Sequence, residues 1–147
     1  MRTIILLLFL LGLTEAKEYK AIFDCSSNDS YYIMTRMNLI GKTMDMMERS
    51  GDKANFVITL HGGCILLASK EYFEIADDND LAYIQKAQDS IKYLSQKKDV
   101  SIIACAIALK ANAIEQSEVL PFINISKNSF IDTIDYQNRG YALMPLK

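Results

Sequence analysis

The sequence has few of the residues that usually build metal and cofactor sites. It contains one histidine, three cysteines and no tryptophan, and it has no CxxC, GxGxxG or GxxxxGK motif. A structural zinc ion takes about four ligands from Cys, His or carboxylate side chains, and three separated cysteines with a single histidine supply such a site poorly. We therefore expect no bound metal and no cofactor.

Positive charge is also scarce. The chain has 16 Lys and Arg against 18 Asp and Glu, a formal net charge of −2, and no basic stripe interleaved with aromatic residues. Nucleic-acid-binding domains usually show such a stripe, so nucleic acid is not an expected partner. Hydrophobic residues make up 50% of the chain, which leaves apolar surface for a subunit interface, and we expect a homo-oligomer.

One apolar run stands out, and it is short for a membrane span. Residues 4–13 read IILLLFLLGL, after Arg2 and shortly before Ala16. This is the layout of a secretory signal peptide, whereas a spanning helix needs about 20 apolar residues. We predict that residues 1–16 are a signal peptide and that residues 17–147 form a single soluble domain, periplasmic or secreted, with no membrane contact after cleavage.

Strand-like and helix-like segments alternate along the rest of the chain. Apolar runs predict strands over 18–25, 54–60, 100–105, 120–126 and 141–145. Helical spacing of apolar residues predicts helices over about 33–47, 81–94, 106–113 and 129–139. Near-continuous apolar strands such as FVITL need cover on both faces. The pattern therefore predicts an α/β fold, a three-layer α/β/α sandwich with a mainly parallel sheet of about five strands.

The residues with the most reactive side chains fall where predicted strands end. Cys25 closes the first strand, His61 and Cys64 follow the second, and Cys105 closes the third. Ligands of open parallel sheets bind beyond the carboxyl ends of the strands. The sequence gives no strand order, and an odd number of cysteines leaves at least one thiol without an intrachain partner.

Cys105 is the best candidate for a reactive thiol. A helix is predicted to begin directly after it, and the free N–H groups of a first helical turn stabilise a thiolate. Buried surroundings would oppose this, so we expect an exposed sulfur at the edge of a pocket. His61 is an acid/base candidate with no orienting Asp or Asn that the sequence can assign. Gly62 and Gly63, with Cys64 and Cys25, are candidate ligand-binding residues.

With these residues in place, the chain resembles the DsrE/DsrF-like (YchN-like) family of sulfur-relay proteins. The resemblance lies in four stretches: FVITLHGG (56–63), VSIIACAIALKANAI (100–114), LPFINI (120–125) and YQNRGYALMP (136–145). The resemblance implies a persulfide on Cys105, a place for His61 in the same pocket, assembly as trimers or hexamers, and a sulfur donor or acceptor protein as partner.

Three functions remain open at this point. The first is an exported sulfur carrier or sulfurtransferase that holds a sulfane sulfur on Cys105 and passes it to an acceptor. The second is a non-catalytic binding or assembly module whose thiols are buried and inert. The third is a redox protein that uses a disulfide between strand-end cysteines, which the lack of a CxxC motif disfavours.

Overall fold

Strands and helices alternate along residues 15–147, the part of the chain that the computed structural model describes. The strands are β1 (Glu18–Cys25), β2 (Lys53–Leu60), β3 (Val100–Cys105), β4 (Asn124–Ser126) and β5 (Ala142–Leu146). The helices are α1 (Ser30–Arg49), α2 (Leu81–Ser95), α3 (Ala106–Ala111) and α4 (Ser129–Asn138). The predicted signal peptide falls on the N-terminal segment, which lies outside the described residues apart from its last two. Within the described range, no helix is long and apolar enough to cross a membrane.

The five strands form one parallel sheet in the order β4-β3-β2-β1-β5. The first four strands are laid down side by side, and the chain then crosses back to place β5 beside β1. Helices α1 and α2 pack together on one face, while α4 makes its contacts with β1, β2 and β5 from the other. The predicted α/β sandwich with about five parallel strands is confirmed.

Most of the hydrophobic core lies between the sheet and the pair α1/α2. Helix α1 buries a stripe at spacings of four and three residues, formed by Ile33, Met37, Ile40 and Met44. This spacing puts one side chain on the same face at every turn, so the methionines of this stripe serve packing. A smaller core on the opposite face joins Ile22, Val57 and Ile103 to two tyrosines, Tyr136 in α4 and Tyr141 just before β5.

The predicted fourth strand is the element that differs most from the sequence expectation. The sequence predicts a buried strand over residues 120–126, but only Asn124–Ser126 is a strand, and this strand lies at the edge of the sheet and is largely exposed. Leu120 instead donates its N–H to the carbonyl of Ala68, and Pro121 has no N–H to contribute to a ladder. The apolar residues of 120–123 therefore cover the core from a loop.

Candidate functional site

The pleat of the sheet sends three polar or nucleophilic side chains toward α4. The smaller core residues of β1, β2 and β3 face α4. Asp24, Thr59 and Cys105 each stand two positions further along the same strands, and alternate residues of a strand share a face. Asp24 and Thr59 are also direct partners in the β1–β2 register. The three side chains therefore meet on the α4 face, at the carboxyl end of the sheet.

His61 joins this group because β2 stays extended for one more residue. Its backbone has φ −149° and ψ −173°, and its N–H donates to the carbonyl of Cys25 at 3.0 Å. Leu60 pairs with Ala104 across the β2–β3 ladder, so His61 and Cys105 occupy the next positions on neighbouring strands. Neighbouring strands lie about 4.8 Å apart. The His61 imidazole and the Cys105 thiol thus share one edge and one face.

A cavity of about 410 Å³ opens at this edge. Four of the residues predicted from the sequence line it, namely His61, Gly62, Gly63 and Cys105. The remaining lining residues are Asn28, Ile107, Ala108, Ala111, Asn112, Asn128, Ser129 and Phe130. The site therefore combines a thiol, an imidazole and several amide and hydroxyl groups with an apolar rim.

Asp24 is the orienting partner of His61 that the sequence does not identify. The Nε2 atom of His61 lies 2.8 Å from Oδ1 of Asp24, and the Thr59 hydroxyl donates to the same oxygen at 3.0 Å. The hydrogen bond from His61 lowers the pKa of Asp24, against the opposing effect of burial. With Nε2–H donating to the carboxylate, a neutral His61 ring keeps Nδ1 as its proton acceptor.

We predict that Asp24→Asn destabilises the fold at neutral pH and that this loss becomes smaller in acid. Folding lowers the pKa of Asp24. Its contribution to the free energy of unfolding is therefore fully present above the unfolded-state pKa of about 3.9, and it is lost as pH falls through the folded-state pKa. A charge-assisted hydrogen bond contributes about 1.5–3 kcal/mol. Urea unfolding of both proteins at pH 7 and at about pH 3 measures the difference.

The matched control is Asp78→Asn, which removes an exposed carboxylate from the loop before α2. Its unfolding free energy should stay within about 0.5 kcal/mol of the wild type. An Asp24→Asn deficit that is equally large at acid pH would contradict the assigned carboxylate role.

The prediction of an exposed Cys105 sulfur is wrong. The residue lines the cavity but is only 4% exposed, because the first turn of α4 lies over it. The Ser129 N–H lies 3.4 Å from Sγ and donates to it. Helix α3 has six residues, and the Cys105 side chain makes no capping bond to it. The N–H donor to the sulfur comes from α4 and not from the helix that follows Cys105.

Gly62 and Gly63 allow β2 to turn directly against the loop that follows β1. Gly62 has φ +49°, and a Cβ there would lie 2.6 Å from the carbonyl oxygen of Ser26. A Cβ on Gly63 would collide with Ser27 and Asn28. Glycine is therefore required at both positions for close backbone approach, and the pair forms a wall of the cavity.

Cys25 and Cys64, grouped in the sequence analysis with the candidate ligand-binding residues, lie in a different place. They form a disulfide, with Cα atoms 5.7 Å apart, and both are 0% exposed. Cys25 follows Asp24, so the alternation of the strand turns it to the opposite face, into the main core. The structure leaves Cys105 as the free thiol among residues 15–147.

Several lining residues were not selected from the sequence. Asn28 and Asn128 lie in polar clusters that precede helices, and Asn128 caps α4 by accepting the N–H of Phe130. Nothing in the sequence shows which loops meet at this edge of the sheet, so neither residue could be selected from it. Asn112 ends α3 and carries no sequence signal. Within residues 15–147 no cluster of His, Cys, Asp and Glu is suited to a metal ion.

Comparison with known proteins agrees with this architecture. The chain is 33% identical over 130 residues to an uncharacterized protein of Aquifex aeolicus strain VF5. The matched region covers 88% of this chain and 57% of that protein. The chain thus spans little more than half the length of this relative. The solved structure of MTH1491 from Methanobacterium thermoautotrophicum, a protein of unknown function, covers 86% of this chain and 98% of its own with a TM-score of 0.65 at 12% identity.

The YchN protein of E. coli shows the same fold more distantly. Its crystal structure covers 88% of this chain and 98% of its own, with a TM-score of 0.56 at 8% identity. At such identities the likeness concerns the fold alone. The model of the DsrE/DsrF-like family, however, matches residues 20–146, from β1 to the end of β5. The chain therefore belongs to the DsrE/DsrF-like family, which is associated with sulfur relay.

Proposed function

We propose that this protein is an exported sulfur carrier that holds a sulfane sulfur on Cys105 and passes it to an acceptor. The observation that carries the proposal is the cavity at the end of β2 and β3. This cavity contains Cys105, the free thiol among residues 15–147, together with His61, which Asp24 orients. A nucleophile beside an oriented base is the arrangement that covalent transfer uses.

The transfer is an exchange of one sulfur–sulfur bond for another. In loading, the Cys105 thiolate attacks the terminal sulfur of a donor persulfide, R–S–SH. The Cys105 S–S bond forms as the donor S–S bond breaks, and the donor leaves as the thiolate R–S⁻. Delivery to an acceptor thiolate reverses the sequence, so no external oxidant or reductant is consumed.

The proposed proton carrier in this exchange is His61. Its Nδ1 accepts the proton of the Cys105 thiol before attack and returns it to the departing thiolate. Asp24 holds the ring through Nε2 and stabilises the positive charge that the ring gains. Its lowered pKa keeps the carboxylate ionised at neutral pH, as this role requires.

The walls of the cavity suit an anionic sulfur kept away from bulk water. The Ser129 N–H already points at the Cys105 sulfur, and hydrogen bonds to the charged form favour it. Ile107 and Phe130 supply apolar surface at the rim. Because Cys105 is 4% exposed, we propose that donor and acceptor sulfurs enter the cavity instead of meeting Cys105 at the protein surface.

The Cys25–Cys64 disulfide supports the export part of the proposal. Disulfides form and persist mainly in oxidising compartments such as the periplasm and the extracellular space. We therefore propose a periplasmic or secreted protein whose mature chain begins near Lys17, after removal of residues 1–16. The sulfur donor and acceptor are then proteins or small persulfides of the same compartment.

A homo-oligomer is the second part of the proposal, and the surface of α4 supports it. Phe130, Ile131 and Ile134 are 70%, 59% and 60% exposed, and Ile107 of α3 adds a further 59%. A contiguous apolar surface of this kind marks an interaction site. Since Phe130 and Ile107 also line the Cys105 cavity, a neighbouring copy, in a trimer or hexamer, would complete its rim. The alternative function, a non-catalytic assembly module with inert thiols, would use the same surface.

We predict that Ile134→Asp dissociates the oligomer into folded monomers. The substitution places a carboxylate within the apolar surface of α4, where burial of an unpaired charge is costly. Light scattering at micromolar concentration reports the mass. The control is Asn38→Asp, which makes the same change in charge on an exposed position of α1, on the opposite face of the sheet. Its mass should equal that of the wild type, and a monomeric wild type would overturn the proposal.

A further inference from the structure

A larger cavity, of about 500 Å³, lies away from Cys105, between α1 and the edge of the sheet. The cavity exists because helices cover only part of this face of the sheet. Helices α1 and α2 pack over the central strands, and β5 extends the sheet past α1. Met144 pairs with Phe23 in the β1–β5 register and shares its face, yet Met144 is 46% exposed. The uncovered strip of β5 beside α1 forms the floor of this cavity.

The walls are mostly apolar and aromatic. Lining side chains include Tyr19, Phe23, Tyr32, Leu39, Met47 and Met144. Small-molecule sites are concave, have volumes of about 300–1,000 Å³, and combine apolar walls with few polar groups that fix orientation. The cavity meets this description in its volume and its lining. Its chemistry then depends on the polar groups that it contains.

Two cationic side chains line the cavity, Lys20 and Arg36. Lys20 is exposed and lies 3.8 Å from the Glu18 carboxylate, so Arg36 is the cation of the lining that has no carboxylate partner. Its guanidinium lies 4.7 Å from the ring centroid of Tyr32. Its Nε is buried and has no hydrogen-bond partner among the described residues, and no carboxylate of that range forms an ion pair with it. A buried donor without a partner is unfavourable. The missing partner is an acceptor, and an anionic acceptor best matches a guanidinium.

We infer that this cavity binds an amphipathic carboxylate, with its head group on Arg36 and its apolar chain along the wall between α1 and β5. The planar guanidinium fork matches the geometry of a carboxylate. An uncharged apolar molecule would leave the Arg36 guanidinium without an anionic partner, and a soluble anion without an apolar part would leave the aromatic wall in water. This inference does not rest on the sulfur chemistry of Cys105.

The alternative occupant is a protein strand, added to the free edge of β5. Pro145 sits in β5 and has no N–H, which interrupts the hydrogen bonding of an added strand. An added strand would also pair with the outer edge of β5 and leave Arg36, on α1, without an acceptor. The observations therefore favour a small ligand.

The test is calorimetric titration of the full-length mature protein with decanoate and decanol below their aggregation concentrations. Decanoate is expected to bind once per chain and at least about tenfold more tightly than decanol, because only the carboxylate pairs with Arg36. Across octanoate, decanoate and dodecanoate, the affinity should rise about fourfold per methylene. Arg36→Met should remove the preference for decanoate and leave decanol binding unchanged.

Three further variants keep the result interpretable. Arg49→Met removes an exposed arginine from the last turn of the same helix and should bind both ligands as the wild type does. Ala142→Phe fills the cavity from β5 and should abolish binding of both; if Arg36→Met does not fold, this variant and Arg36→Lys carry the test. Three results would each overturn the inference. They are no decanoate binding at millimolar concentration, equal binding of decanoate and decanol, and fewer than one site per chain because a second copy covers the cavity.

Discussion

Cys105→Ser is expected to abolish the uptake of sulfur by the purified protein. The serine hydroxyl has the size and place of the thiol but forms no persulfide. Wild-type protein incubated with a low-molecular-weight persulfide should gain one sulfur atom per chain in its intact mass, and the variant should gain none. Peptide mapping should place the added sulfur on the peptide that contains Cys105.

The same experiment separates the roles of the residues around Cys105. His61→Ala should slow loading by about 100-fold or more, the usual loss for a positioned acid/base group. Asp24→Asn should slow loading too, with the final amount of bound sulfur unchanged, because Asp24 acts through His61. The control is Ser101→Ala, a partly buried position near the opposite end of β3, which should load at the wild-type rate. Sulfur uptake by Cys105→Ser that equals the wild type would exclude Cys105 as the carrier.

Loss of the Cys25–Cys64 disulfide is expected to lower the free energy of unfolding by about 2–4 kcal/mol. The two cysteines are separated by 39 residues, and a cross-link over a loop of this length removes chain entropy from the unfolded state. Both positions are fully buried, so the double variant Cys25→Ala/Cys64→Ala also loses packing. Urea denaturation of this variant and of the wild type measures the change.

Two comparisons isolate the cross-link from the loss of side-chain volume. Wild-type protein unfolded in the presence of a reductant keeps both sulfurs and should lose most of the same stability. Cys105→Ala removes a third buried sulfur with no cross-link and should cost clearly less than the double variant. A double variant as stable as the wild type would contradict a structural role for the disulfide.

The pattern of apolar residues determined the layers of this fold. The bounds of β1 and β3 agree with the sequence prediction residue for residue. Each strand contains a short apolar run, AIF in β1 and IIA in β3, and each ends at a cysteine that is followed by a polar cluster or by a helix start. The stripe from Ile33 to Met44 placed α1 against the core. The sequence could not show that residues 120–123 form a loop, since an apolar loop over a core and a buried strand have the same composition.

The candidate site was predicted in part, and strand order explains the remainder. His61 and Cys105 were placed at one edge of the sheet because both follow strands, and the structure puts them on one cavity. Asp24 was missed because its contact with His61 depends on β1 lying beside β2. The burial of Cys105 was missed because it is caused by α4, more than 20 residues further along the chain.

The three cysteines lie on different faces of the sheet, which their spacing in the sequence does not predict. Cys25 and Cys105 both close strands, but Cys25 faces the main core and Cys105 faces α4. Period-two alternation fixes the face of each residue relative to its own strand, and the direction of the whole strand follows from tertiary packing. The disulfide between Cys25 and Cys64 therefore leaves the proposed carrier thiol alone on its cavity.

The central claim is that Cys105 carries sulfur in an exported protein, and the intact mass of the protein purified from its native compartment tests it most directly. The proposal predicts a chain that begins near Lys17, contains one disulfide and carries additional sulfur on Cys105. The contradictory result is a chain without extra sulfur whose Cys105 reacts with iodoacetamide only after unfolding, which would identify an inert thiol in an assembly module.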